Sequence, residues 1–225
     1  MYDVKRRTLM AIGALTLGTV LAPTVAGAAP AGPGAPGWHV GYYTPSGRAL
    51  SMSQAAPTAG GGAMFPFTNQ PNTALLIATQ GSSSLLGNDL GETIHATFTI
   101  SGVTGSFMAY PDQCYPNGAA PNVRLFFETS NAGGYANTHY WWADVASSPL
   151  ANGSETLTAT ISPTSPWSDL NGKASGDNSS AFADAASNVT AIGLSFGGYC
   201  HYESGVGTSN GSGTFTLTSY TVAAP

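Results

Sequence analysis

Gly213-Thr214-Phe215-Thr216-Leu217-Thr218-Ser219-Tyr220-Thr221-Val222 alternates apolar and hydroxyl side chains with a period of two. That period marks a strand with one face in a core and one in water. Phe215 and Leu217 define the core face. Beyond Leu217 the apolar positions shift to Tyr220 and Val222, which predicts a bulge or an edge position.

The same alternation recurs upstream. Glu92-Thr93-Ile94-His95-Ala96-Thr97-Phe98-Thr99-Ile100 places Ile94, Ala96, Phe98 and Ile100 on one side, and Thr156-Leu157-Thr158-Ala159-Thr160-Ile161 repeats the pattern. Val123-Arg124-Leu125-Phe126-Phe127-Glu128 sets Val123, Leu125 and Phe127 against Arg124, Phe126 and Glu128, so that the two charges flank an aromatic. Further strands are expected over Trp38–Tyr43, Thr73–Thr79, Gly105–Tyr110, Thr138–Val145 and Val189–Phe196. Clusters of Gly, Asn, Ser and Pro separate them, as turns do between short antiparallel strands. Helical signal is confined to Ser180–Ala186, with Phe182, Ala185 and Ala186 inward, and to one turn over Ser165–Leu170. So many short strands in about 190 residues form one all-β domain, an antiparallel two-sheet sandwich of the jelly-roll kind with one or two helical turns.

The N-terminus reads as an export signal. Lys5-Arg6-Arg7 precedes an uncharged apolar run, and Ala26-Gly27-Ala28 offers small residues for cleavage. Residues 1–28 are therefore expected to be a signal peptide, 29–37 a Pro/Gly leader and 38–225 the domain. Adjacent Arg6 and Arg7 suit the twin-arginine route as well as the general secretory one. The chain is expected outside the cell, with no membrane contact once cleaved. Removal of the signal leaves Arg48, Arg124 and Lys173 against ten acids, a net charge of −7. Three scattered cations cannot neutralise phosphates, so nucleic acid is not an expected partner. With 8% charged residues, the surface must be largely hydroxyl and amide, which suits a neutral, hydroxyl-rich ligand.

Cys114 and Cys200 are the only cysteines. In an oxidising compartment such a pair is expected to form a disulfide. The loop they would close spans 86 positions, and in the chain-entropy model it would stabilise by roughly 4–5 kcal/mol. The bridge would bring together Tyr110, Asp112, Gln113 and Tyr115 from one segment and Tyr199, His201, Tyr202 and Glu203 from the other. Tyr140-Trp141-Trp142 adds to the aromatic supply. Alternation predicts one tryptophan in the core and the other, Trp142 in this reading, exposed or half-buried beside the patch. Flat rings with Asp, Gln and Glu among them are what a sugar's C–H face and hydroxyl rim require. The same residues also suit plain packing against a disulfide.

The C-terminal half carries a resemblance. A strand, then Trp167-Ser168-Asp169-Leu170-Asn171-Gly172-Lys173, a short helix with Phe182 and Ala185, the strand Ile192-Gly193-Leu194-Ser195-Phe196 and the final strand from Gly213 follow in order. This succession resembles the galactose-binding-like jelly-roll class of non-catalytic carbohydrate-binding modules, over roughly residues 72 to 222. The resemblance implies a two-sheet fold and glycan binding without catalysis. Many such modules hold a structural calcium through an acid in the last strand. Leu217-Thr218-Ser219-Tyr220 has none, so no calcium site of that kind is expected.

No catalytic residue, metal ligand or cofactor is assigned. His39, His95, His139 and His201 stand singly, without metal-ligand spacing. Asp112, Glu128 and Glu203 are the only acids placed for glycoside hydrolysis, and nothing in their spacing selects a pair. The leading expectation is a secreted module that binds a neutral polysaccharide or cell-wall glycan. A structural or interaction protein without a small ligand, or a glycoside hydrolase, are the alternatives.

Overall fold

The structure is a computed structural model. It describes residues 37–44, 49–79, 85–111, 120–130, 134–198 and 203–224. The signal, nearly all of the leader and both cysteines lie outside the described residues, and so does the expected disulfide.

Two antiparallel sheets stack face to face. The larger has nine strands: β1 (Trp38–Tyr43), β2 (Leu50–Gln54), β5 (Thr73–Ala78), β7 (Phe107–Ala109), β8 (Asn122–Thr129), β9 (Tyr140–Pro149), β11 (Trp167–Asp169), β12 (Val189–Gly197) and β13 (Val206–Thr208). Its main path runs β11-β9-β8-β12-β5-β1-β2, with β13 joining β5 and β7 joining β13. The smaller has five, ordered β10 (Gly153–Thr160), β6 (Thr93–Ser101), β14 (Thr214–Ala223), β4 (Ala63–Pro66) and β3 (Ala56–Pro57). One helix, α1 (Ser179–Ala186), and a 3-10 turn over Asn137–His139 complete the described elements. The expected β-sandwich is observed.

Alternation explains the packing. Ile94, Ala96, Phe98 and Ile100 of β6 are all buried between the sheets, as are Phe215 and Leu217 of β14. The register of β14 against β6 slips between Leu217 and Ser219, where the apolar parity changes. Past that bulge Tyr220 turns inward, meets Trp38 edge-on at 5.2 Å and donates its hydroxyl to the Gly193 carbonyl at 3.3 Å. Phe182, Ala185 and Ala186 of α1 point inward as their spacing predicts. Phe182 meets Trp141 at 4.9 Å and Phe127 at 5.6 Å. The core indoles are satisfied: Trp141 donates to the Thr138 carbonyl and Trp167 to that of Thr160.

The outward face of the smaller sheet is a ladder of hydroxyl rungs. Thr93–Thr160, His95–Thr158, Thr97–Thr156 and Thr99–Ser154 hydrogen-bond across β6 and β10 at 3.0, 3.0, 2.9 and 2.8 Å. Such cross-strand pairs contribute a few tenths of a kcal/mol each, roughly 0.2–1.

Three expectations need correction. Residues 165–170 do not form a helical turn: Trp167–Asp169 is strand β11, paired to β9. The Asp169 carboxylate then accepts the backbone N–H groups of Asn171 and Lys173, closing a loop instead of a helix. Neither tryptophan of the Trp141-Trp142 pair is exposed; Trp142 does point away from Trp141, but onto a face that is itself buried. The strands are also more numerous than alternation predicts, since β2, β3, β4 and β13 join them.

Asp89 supplies a test of this core's electrostatics. It is buried, and its Oδ2 has no hydrogen-bond partner among the described residues. Burial, with Glu92 nearby, raises its pKa from 3.8 to about 6. The folded state thus holds the proton more tightly than the unfolded chain. The associated stability is fully present below pH 3.8 and is lost as pH rises through about 6. Asp89→Asn is expected to stabilise by about 1 kcal/mol at pH 7, a discounted figure because solvent still reaches the loop. At pH 4 it should change little. Urea titrations of both proteins at the two pH values check this, and equal differences at both would contradict it.

Candidate functional site on the outer face of the larger sheet

The outward face of the nine-stranded sheet does not alternate into polar residues. It carries a second apolar cluster of Ala74, Leu75, Ile77, Phe126, Trp142 and Ala191, with Tyr43 and Tyr140 packed against it. The pairing of β8 with β9 sets Phe126 opposite Trp142 and Glu128 opposite Tyr140. Their side chains therefore share a face. Phe126 and Trp142 meet at 5.1 Å, Tyr140 lies over Trp142 at 6.4 Å with planes 18° apart, and Tyr135 meets Tyr140 at 5.8 Å. Tyr135, 66% exposed, ends this run of rings in solvent.

Polar groups stand among the rings. Burial raises the Glu128 pKa. Ser195 on β12, between Arg124 and Leu75 in register, is fully buried and its hydroxyl has no partner among the described residues. An orphaned buried hydroxyl calls for a ligand or water group. Arg124 is buried and donates to the Asp144 carbonyl at 3.4 Å, while Ser168 donates to the Asp144 carboxylate at 2.8 Å.

Three of the nine site residues expected from sequence fall within the described residues. Tyr110 and Glu203 are each tied to their neighbours: the Tyr110 N–H donates to the Gly205 carbonyl, and Glu203 accepts the Tyr43 hydroxyl at 3.1 Å. Trp142 sits apart from them, on β9. Asp112, Gln113, Tyr115, Tyr199, His201 and Tyr202 lie outside the described residues. Glu128 and Glu203 do not face each other. Glu128 is at the far end of β8, and Glu203 touches Tyr43 at the opposite end of β1. Three strand spacings of about 4.8 Å and much of the sheet's length separate them, beyond the roughly 5–9.5 Å of a glycosidase pair.

The sequence reading missed Tyr135 and Ser195 as site residues; it named Tyr140 only as an addition to the aromatic supply and Glu128 only as a candidate hydrolytic acid. The signal was present in part, since alternation places Tyr140 with Trp142 and Phe126 with Glu128. A polar cleft of about 270 Å³ lies at the end of β8, between the 3-10 turn and α1, with Ser130, Thr138, His139 and Asp184 in its lining. No group of three or more His, Cys, Asp or Glu side chains comes together among the described residues. No helix among them is long and apolar enough to cross a membrane.

The fold and its outer face define the class: a two-sheet antiparallel β-sandwich, compatible with a jelly roll, bearing an aromatic outer face. Comparison with protein-family models and with curated proteins finds no match.

Proposed function

We propose that this chain is a secreted, non-catalytic module that binds a neutral carbohydrate along the outer face of its larger sheet. The carrying observation is exposed Tyr135 beside half-buried Tyr140, backed by the buried rings of Trp142 and Phe126 that hold Tyr140 in place. A sugar stacks its C–H face on such rings. Glu128, partly exposed on the same face, is placed to meet its hydroxyls. The low charge of the chain fits a ligand without ionic groups.

The test is retention on a panel of insoluble cell-wall and plant polysaccharides. Wild-type protein is expected to be retained on at least one. Tyr135→Ala, at an exposed site where truncation leaves the fold intact, is expected to weaken that binding about tenfold, the loss typical of an aromatic anchor. Folded wild type that passes through every matrix would refute the reading.

A further inference from the structure

We propose that two copies of this chain associate by pairing their β2 strands. An open strand edge is a template for another strand, and soluble proteins ordinarily shorten, charge, kink or cover such edges. The other terminal strands here are protected. Strands β3, β7 and β11 are two or three residues long, β3 contains Pro57, and β10 carries Glu155. The turn after β11 also folds back on it, through the Asp169 and Ser175 N–H groups.

Among the described residues, strand β2 has none of these devices. Leu50-Ser51-Met52-Ser53-Gln54 contains no charge and no proline, and every residue is exposed. Its register with β1 is unbroken from Leu50 to Gln54. The flanking bonds, Ala55 N–H to Trp38 and Thr44 N–H to Ala49, fix which groups remain available. In an antiparallel ladder the hydrogen-bonded positions alternate. Residues 49, 51, 53 and 55 therefore bond toward β1, and Leu50, Met52 and Gln54 aim their backbone groups at the open edge.

The edge is complementary to itself. A two-fold axis at Met52 sets it against the partner's Met52 in a hydrogen-bonded pair, and Leu50 against the partner's Gln54. Leu50 and Met52 are 41% and 40% exposed, and both lean over Gly41, where an added Cβ would lie 3.0 Å from each. Pairing would cover both side chains and extend one apolar strip from Leu75 across the axis. Small Ser51 and Ser53 on the reverse side present no bulk to the approaching copy.

Sedimentation velocity on the exported chain tests this over a concentration series. A reversible dimer is expected. Met52→Pro removes one outward N–H without touching the bonds to β1, and Met52→Lys places two like charges at the axis. Each is expected to weaken self-association at least tenfold while leaving the unfolding midpoint nearly unchanged. A wild type that stays monomeric into the millimolar range, or a dimer that survives both substitutions, overturns the proposal. Either result leaves the carbohydrate reading standing, since Tyr135 lies on the strand order's other side from β2.

Discussion

Replacing Phe215 with alanine is expected to remove about 3–5 kcal/mol of folding free energy, enough to consume much of a typical domain's stability. The ring is fully buried. It stacks on Phe98 at 4.9 Å and Phe65 at 5.2 Å within the smaller sheet, and meets Phe196 of the larger sheet at 5.2 Å with planes at 90°. Phe215 is thus the contact through which three rings from both layers share one packing geometry. Truncation leaves a void walled by rigid rings that cannot collapse into it, and cavity cost rises with how little the walls relax. Guanidinium titration followed by tryptophan fluorescence measures the loss. A change below about 1 kcal/mol would mean that the sheets are not held together here.

The second large effect is expected at Gly193, for a reason of contact. The residue sits on β12 opposite Phe126 of β8 and Ile77 of β5, in the middle of the nine-stranded sheet. An added Cβ would lie 2.1 Å from the Leu76 carbonyl oxygen and 2.9 Å from the Ile77 Cα. Both obstacles are backbone, so no side-chain rotation relieves them. Gly193→Ala must push β5 from β12, and through the Gly193 carbonyl it also disturbs the Tyr220 hydrogen bond. A cost of about 3 kcal/mol or more is expected, at the upper end of overpacking effects. Thermal unfolding read by circular dichroism checks it, and a variant as stable as wild type would show that the two strands are farther apart than described.

Much of this architecture was legible because burial in a sandwich imposes a period of two. Ile94 to Ile100, Phe215 and Leu217 announced their faces, and the shift past Leu217 announced the bulge. The α1 face followed from the spacing of Phe182, Ala185 and Ala186. Strand β2 escaped because Leu50-Ser51-Met52-Ser53-Gln54 has no β-branched or aromatic residue; its extended form comes from pairing with β1, and strand preference is largely context. Strand β13 escaped for a similar reason. Gly207, in its centre, is held by close backbone approach, with an added Cβ only 2.0 Å from the Gln70 oxygen. The stretch around Trp167 misled because Ser165-Pro166 imitates a helix start. The outer-face cluster was half visible. Alternation put Phe126 and Trp142 on one side of their own strands, but only the neighbour order β9-β8-β12-β5 brings them together with Leu75 and Ala191.

The rungs between β6 and β10 have a consequence for how this face responds to salt. Apart from His95, that side of the protein is wetted by paired alcohols, so it gathers no cloud of counter-ions. Salt has little there to screen. That face should present the same surface in dilute water as in brine.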